Sequence, residues 1–268
     1  MRRTSILHTR PSLWGVLLLR YLRSWWYMVH LGAVALVMAF SPSTWHRANR
    51  HATSRYIYAS TWKVLPWFTV LSALVSLVVI RIVLVTATSY GLSRYALEMV
   101  VRVLVLELIP LSAALFAALR SGMAFDATAL GLARAGLSSP AANAEALRQL
   151  KRDLVPQVVA NAVAVLGLAV VTSALVLLLA YLNVYGLSPW GLPDYTRTVG
   201  RVFEPVITIG FALKTVLFGL AVAVIPTAAI LELERYPRRL ASSVQPGALR
   251  LLFVLLLIEA ASLAIKYI

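Results

Sequence analysis

Long apolar stretches alternate with short polar ones along most of the chain. Five stretches reach the roughly 20 residues that a helix needs to cross a bilayer. They cover about 65–88, 95–119, 154–183, 205–231 and 248–268. Lipid offers the backbone no hydrogen-bond partners, so each stretch must be a helix or a strand of a closed barrel. Strict alternation of apolar and polar positions, the mark of a barrel strand, is missing. The pattern therefore predicts an all-α integral membrane protein with five transmembrane helices, its helical domain occupying 64–268.

Residues 1–63 read differently. The segment 13–40 carries Arg20 and Arg23 close together, then Trp25, Trp26 and Tyr27. Cations and aromatic rings at one level anchor a helix at the membrane surface. An N-terminal interfacial helix that dips into one leaflet is the expected form, with Arg20, Arg23, Trp25 and Trp26 as its anchors. A sixth span over about 25–40 is the alternative. The stretch 41–63 is polar, basic and interrupted by Pro42. The first apolar run, 13–19, is followed by Arg20 and by no small-residue cleavage site, so no signal peptide is expected.

Composition changes the picture only where it removes options. The 268 residues are 60% hydrophobic and 13% charged, with a net charge of +15. A soluble domain would carry about a quarter charged residues. The basic excess sits between the apolar runs rather than on a nucleic-acid-binding face, so no nucleic-acid partner is expected. The chain has no cysteine, which rules out disulfides, thiolate metal sites and cysteine nucleophiles. Its four histidines, His8, His30, His46 and His51, lack metal-ligand spacing. His46 and His51 sit among Arg47, Arg50 and Arg55 and read as part of a solvated basic loop.

The same basic excess orients the chain. Lys and Arg number 18 on the side that holds the N-terminus and the loops 120–153 and 232–250, against 4 on the other. The positive-inside rule places the N-terminus in the cytoplasm and the C-terminus outside. The longest cytoplasmic loop joins the second and third spans. Within it, 141–152 (AANAEALRQLKR) is rich in Ala and Leu and is predicted to form a short helix that begins near Pro140. Such a helix suits the docking of a soluble partner, and a simple connector fits the same residues.

Arg81, Glu98, Arg102, Glu107, Lys214 and Glu259 interrupt the apolar runs. Charges at membrane depth are costly and are normally paired or face a cavity. Glu98 and Arg102 are one turn apart and can pair locally. Glu107 has no ionic partner at i±3 or i±4, so its partner must come from another helix, a backbone amide or a water-filled cavity, with Lys214 and Arg81 as candidates. Pro66, Pro110, Pro226 and Gly210 also interrupt the runs and permit kinks. No phosphate-binding Gly-x-x-x-x-Gly-Lys-[Ser/Thr] loop occurs. No catalytic constellation or cofactor site is expected in this chain.

A series of short motifs lies across these spans. Tyr58 is followed after six residues by Leu65-Pro66; then come Leu106-Glu107-Leu108-Ile109-Pro110, Arg120 ten residues on, and Gly131 and Pro156 separated by 25. Lys214 is followed by Phe218-Gly219. In order and spacing the chain resembles the MlaE/YrbE family, permease subunits of ABC-type lipid transporters that work with MCE proteins. The similarity covers roughly residues 20–230. Leu106 and Ile109 stand where the family has Arg and Gly, Ala129 where it has Glu, and Leu137 and Pro140 where it has acids; one extra residue sits between Arg120 and Gly131.

The resemblance implies a permease subunit in the bacterial inner membrane that moves phospholipid or another hydrophobic substrate between membranes. It implies a second permease subunit, an ABC ATPase that binds ATP on its own chain, and an MCE-domain lipid-binding protein. Glu107, Pro110, Lys214 and Arg81 are then the candidates for the substrate cavity or its gating. Arg134, Glu145, Arg148, Lys151 and Arg152 are the candidates for coupling to the ATPase. A membrane scaffold that transports nothing is the alternative reading, favoured by the lost acidic positions of the coupling segment.

Overall fold

The computed structural model describes residues 53–120, 140–235 and 246–267, with six isolated positions between 25 and 37. Among them every regular element is helical. A π-helical turn at Tyr58–Trp62 leads into α1 (Leu65–Ser89). Helix α2 (Ser93–Val100) continues as a π-helix over Val101–Leu108 and then α-helically to residue 120. Helix α3 (Pro140–Tyr185) is followed by a 3-10 turn at Pro189–Gly191 and by α4 (Leu192–Val202). Helices α5 (Pro205–Arg235) and α6 (Pro246–Tyr267) complete the bundle.

Five of the described helical stretches are long and apolar enough to cross a membrane: Thr53–Ser89, Tyr95–Arg120, Val159–Tyr185, Pro205–Pro226 and Gly247–Lys266. They overlap the five stretches expected from the sequence, although the first starts at Thr53 rather than near residue 65, within the stretch expected to be polar. The ends are set by local chemistry. Gly91 adopts φ +72° after α1, and Leu92 and Gly91 donate backbone N–H groups to the carbonyls of Ala87 and Thr88. This left-handed cap satisfies carbonyls that the helix itself leaves free. Gly186 does the same turn after α3 with φ +66°.

One expectation changes. The segment 141–152 is helical and starts at Pro140, but it is not a separate short helix. It is the first part of the 46-residue α3, which runs unbroken through Pro156 into the third span. Nothing between Lys151 and Leu154 breaks a helix, and Ala and Leu favour its continuation. The side chains of Glu145, Arg148, Lys151 and Arg152, and all of Arg134, lie outside the described residues.

The bundle packs around α5, which lies between α3 and α6. Close approach to α3 depends on Gly219: a Cβ there would sit 3.0 Å from the Ala162 backbone. Phe218, Val165, Val222 and Leu255 fill this seam, with Trp25 packed at its rim. Toward the opposite end, Val100, Val101, Leu104 and Val105 meet Ile80, Val176 and Val202. The second span is half buried, whereas 17% of the first and 11% of the fifth are buried. The two outer spans thus present most of their apolar surface outward, which only lipid or another membrane protein can cover.

At the end of the bundle that carries α4, Tyr181, Tyr185 and Tyr195 form a ring cluster. The Tyr195 hydroxyl donates to the Leu177 carbonyl at 2.7 Å, and burial pushes its pKa up to about 12. Of the N-terminal helix, Trp25, Trp26, Val29, His30, Ala33 and Val37 are described, all helical. Trp25 packs edge-on against Phe253 of α6, and Trp26 is exposed. Arg20 and Arg23, and with them the choice between an interfacial and a spanning helix, lie outside the described residues.

Candidate functional site

The π-helix in the second span sits directly before Pro110. Proline has no N–H to donate and its ring collides with the carbonyl four residues back. Here the preceding turns are widened, and the Ile109 N–H reaches the Leu104 carbonyl five residues back. Widened turns of this kind re-aim side chains and are frequent at functional sites. The residue they carry toward the other helices is Glu107.

Glu107 meets charges from two further spans. One carboxylate oxygen, Oε2, accepts from the Lys214 ammonium of α5. The other, Oε1, accepts from the Lys266 ammonium of α6 at 2.8 Å. Lys214 also lies 3.3 Å from Oε2 of Glu259, again on α6. The four side chains form one network of two carboxylates and two ammonium groups. Lys214 is 3% exposed, so it is the enclosed centre. Moving an isolated ion from water into such a site costs several kcal/mol, and mutual pairing offsets that cost only when each charge finds its partner. Glu107 meets that condition with two ammonium partners, whereas Glu259 shares Lys214 with it and leaves Oε2 without a hydrogen bond among the described residues.

The network forms one side of a cavity of about 460 Å³ between α5, α6 and the π-helix. Val206, Ile207, Phe211, Leu213 and Leu217 supply the α5 wall; Leu257, Ile258, Ala261 and Ile265 supply the α6 wall. Gly210 opens the α5 wall, since nothing lies within 4 Å of where its Cβ would be. Glu107, Lys214, Lys266 and Ser262 are the polar groups that face it. An apolar cleft of a few hundred Å³ with a few convergent polar groups is the usual form of a binding site for a small or amphipathic molecule.

The sequence-derived candidates distribute as follows. Glu107 and Lys214 come together, as does the local pair of Arg102 and Glu98, 2.9 Å apart. Pro110 is buried behind the π-helix and does not line the cavity. Arg81 is exposed on the first span and joins none of the network's ion pairs. Glu259 and Lys266 were not among the candidates, although Glu259 was visible as a charge within a span. Their separation of seven residues puts them on one face of a helix, and that spacing was the available signal. Lys266, close to the end of its run, read only as a flanking charge.

A second polar contact lies at the opposite end of the bundle. The π-turn Tyr58–Trp62 loosens the helix at the start of the first span, and the Arg120 guanidinium donates to the carbonyls of Ala59 and Ser60. Ser60 Oγ donates in turn to the Ala160 carbonyl of α3 at 3.4 Å. Arg120 thereby ties the end of the second span to the first, beside a smaller cavity of about 160 Å³. Among the described residues no group of His, Asp and Glu is placed to hold a metal ion.

Comparison with curated proteins and with solved structures found no match. Comparison with protein families found one that covers most of the chain: the description "Permease MlaE" matches residues 53–265, from the first helical turns through Ile265. That region takes in the five described membrane helices, short of the last residue of the fifth, with Glu107, Lys214 and Glu259, and so the chain belongs to the MlaE permease family, as a multi-pass transmembrane subunit of an ABC-type transporter.

Proposed function

We propose that this permease moves phospholipid or another hydrophobic amphiphile, and that the cavity between α5, α6 and the π-helix is where the substrate is held. The observation that carries the reading is the pairing of an extended apolar wall with one charged edge in the same cavity. Acyl chains match the wall and a polar headgroup matches the edge. In this reading the protein sits in the bacterial inner membrane with its N-terminus cytoplasmic and the α4 end outside. ATP is hydrolysed on a separate ABC ATPase, which docks on the cytoplasmic part of α3, through Arg148, Lys151 and their neighbours. An MCE-domain protein receives or delivers lipid at the α4 end, and a second permease subunit covers part of the outward apolar surface.

The test is affinity purification of the tagged full-length protein in mild detergents, with mass spectrometry of bound proteins and lipids. The reading expects an ABC ATPase, an MCE-domain protein and phospholipid. The double charge reversal Arg148→Glu, Lys151→Glu is expected to reduce ATPase recovery while leaving lipid recovery in place. Isolation of the chain alone under every detergent would overturn the reading in favour of a scaffold.

A further inference from the structure

The polar groups that line the cavity have donors to spare. Both oxygens of Glu107 already accept from an ammonium group, Oε2 from Lys214 and Oε1 from Lys266. Lys214 is enclosed and divided between Glu107 and Glu259. Lys266 is different. An ammonium has three N–H donors, and among the described residues Lys266 gives one, to Glu107. Its side chain faces the cavity at the α4 end of α6. Ser262, one turn earlier on the same helix, also lines the cavity, and its hydroxyl has no hydrogen-bond partner among the described residues. The cavity therefore offers unused donors at Lys266 and Ser262 and no free carboxylate oxygen on Glu107.

Lys266 also turns the wrong way for a simple anchor. A lysine one residue from the end of its helix can extend its stem toward the aqueous boundary. Here it folds inward onto Glu107, with 13% of its side chain exposed. From the level of Lys214 the α5 wall extends back to Val206, a rise of roughly 12 Å, room for part of an acyl chain.

We infer that Lys266 and Ser262 form a headgroup subsite that takes an anionic oxygen, a phosphate diester or a carboxylate, on an amphiphile whose acyl chain lies along the α5 wall. The inference rests on the reading of this cavity as a lipid site and adds its selectivity. A headgroup oxygen accepts from the two remaining Lys266 N–H groups and the Ser262 hydroxyl, while Glu107 keeps its bond to Lys214. A zwitterionic headgroup offers the same phosphodiester but brings its own cation close to the Lys266 ammonium, and like-charge repulsion there favours anionic amphiphiles.

The experiment uses the delipidated full-length protein in maltoside micelles with equal amounts of phosphatidylglycerol and phosphatidylcholine of matched chains. After repurification, bound lipids are quantified by mass spectrometry. The wild type is expected to retain phosphatidylglycerol in roughly tenfold excess, the scale of one like-charge contact avoided. Lys266→Gln is expected to bring the ratio to about one, and Lys266→Arg to restore the excess. Leu213→Trp, which fills the apolar wall, is expected to remove both lipids. Palmitate as a competitor identifies the source of the anion: displacement of phosphatidylglycerol supports a free carboxylate at the subsite, and resistance supports the phosphodiester. Binding of both lipids at a ratio near one, or an excess that survives Lys266→Gln, would overturn the subsite and leave the lipid cavity standing. Failure of the wild type to hold either lipid would overturn the lipid cavity itself, and the subsite with it.

Discussion

Two of the polar contacts that join helices in this bundle are made of different materials. At the cavity, Glu107, Lys214, Glu259 and Lys266 pair charge with charge across three spans. At the other end, Arg120 spends its charge on neutral backbone carbonyls of Ala59 and Ser60. Each contact adjoins a π-helical segment, the first Val101–Leu108 and the second Tyr58–Trp62. In the first, the widened helix presents a side chain; in the second, it presents backbone. The difference matters because a carboxylate left alone in a membrane interior is far more costly than a carbonyl left alone near its edge. The ionic network is thus an all-or-none assembly, whereas the Arg120 contact is a local brace.

The sharpest way to break the comparison is Lys214→Met. It removes the enclosed cation and leaves Glu107 and Glu259 with Lys266 as their one remaining counter-charge. A loss of about 3–5 kcal/mol is expected, as for any broken buried ion pair, read as a collapsed yield of monodisperse protein or a large fall in the unfolding midpoint in detergent. An unchanged midpoint would mean that water, not the other helices, solvates the carboxylates. Glu259→Gln should cost less, about 1–2 kcal/mol, because Lys214 keeps Glu107 and the amide oxygen still accepts.

Arg120→Ala is expected to cost about 1–2 kcal/mol by orphaning the two carbonyls. Arg120→Lys should recover only part of it, since one ammonium does not span two acceptors as a planar guanidinium does. If Arg120→Ala proved as damaging as Lys214→Met, the distinction between brace and assembly would fall. Arg81→Leu completes the series. Arg81 is exposed and takes no part in the network, so a shift under about 0.5 kcal/mol is expected. A large loss of stability there would reveal a partner outside this chain for the exposed first span.

Much of the fold was legible because the solvent imposes it. A run such as 205–231 has no alternative to a helix in lipid, and α5 follows it closely. The Glu98–Arg102 pair was legible because both ends lie on one helix. The site was legible in half. Glu107 announced that it needed a distant partner, and Lys214 was one of two choices. Sequence spacing could not choose between Lys214 and Arg81, since both interrupt apolar runs in the same way. What separates them is which face of each helix turns inward.

The chain's own chemistry thus determined the helical class, the five spans, the lack of thiol chemistry and the charges that demanded partners. These follow from local facts: run length, backbone hydrogen bonding and the cost of an ion in lipid. Tertiary structure alone decided that 141–152 belongs to α3, that Lys214 rather than Arg81 meets Glu107, and that Glu259 and Lys266 complete the network. It also decided that Gly219 admits the Ala162 backbone. The hydrophobic effect does not sort one face of these helices from another, because lipid tails are as apolar as the side chains. Packing shape and charge pairing between helices make that choice, and neither exists until the helices meet.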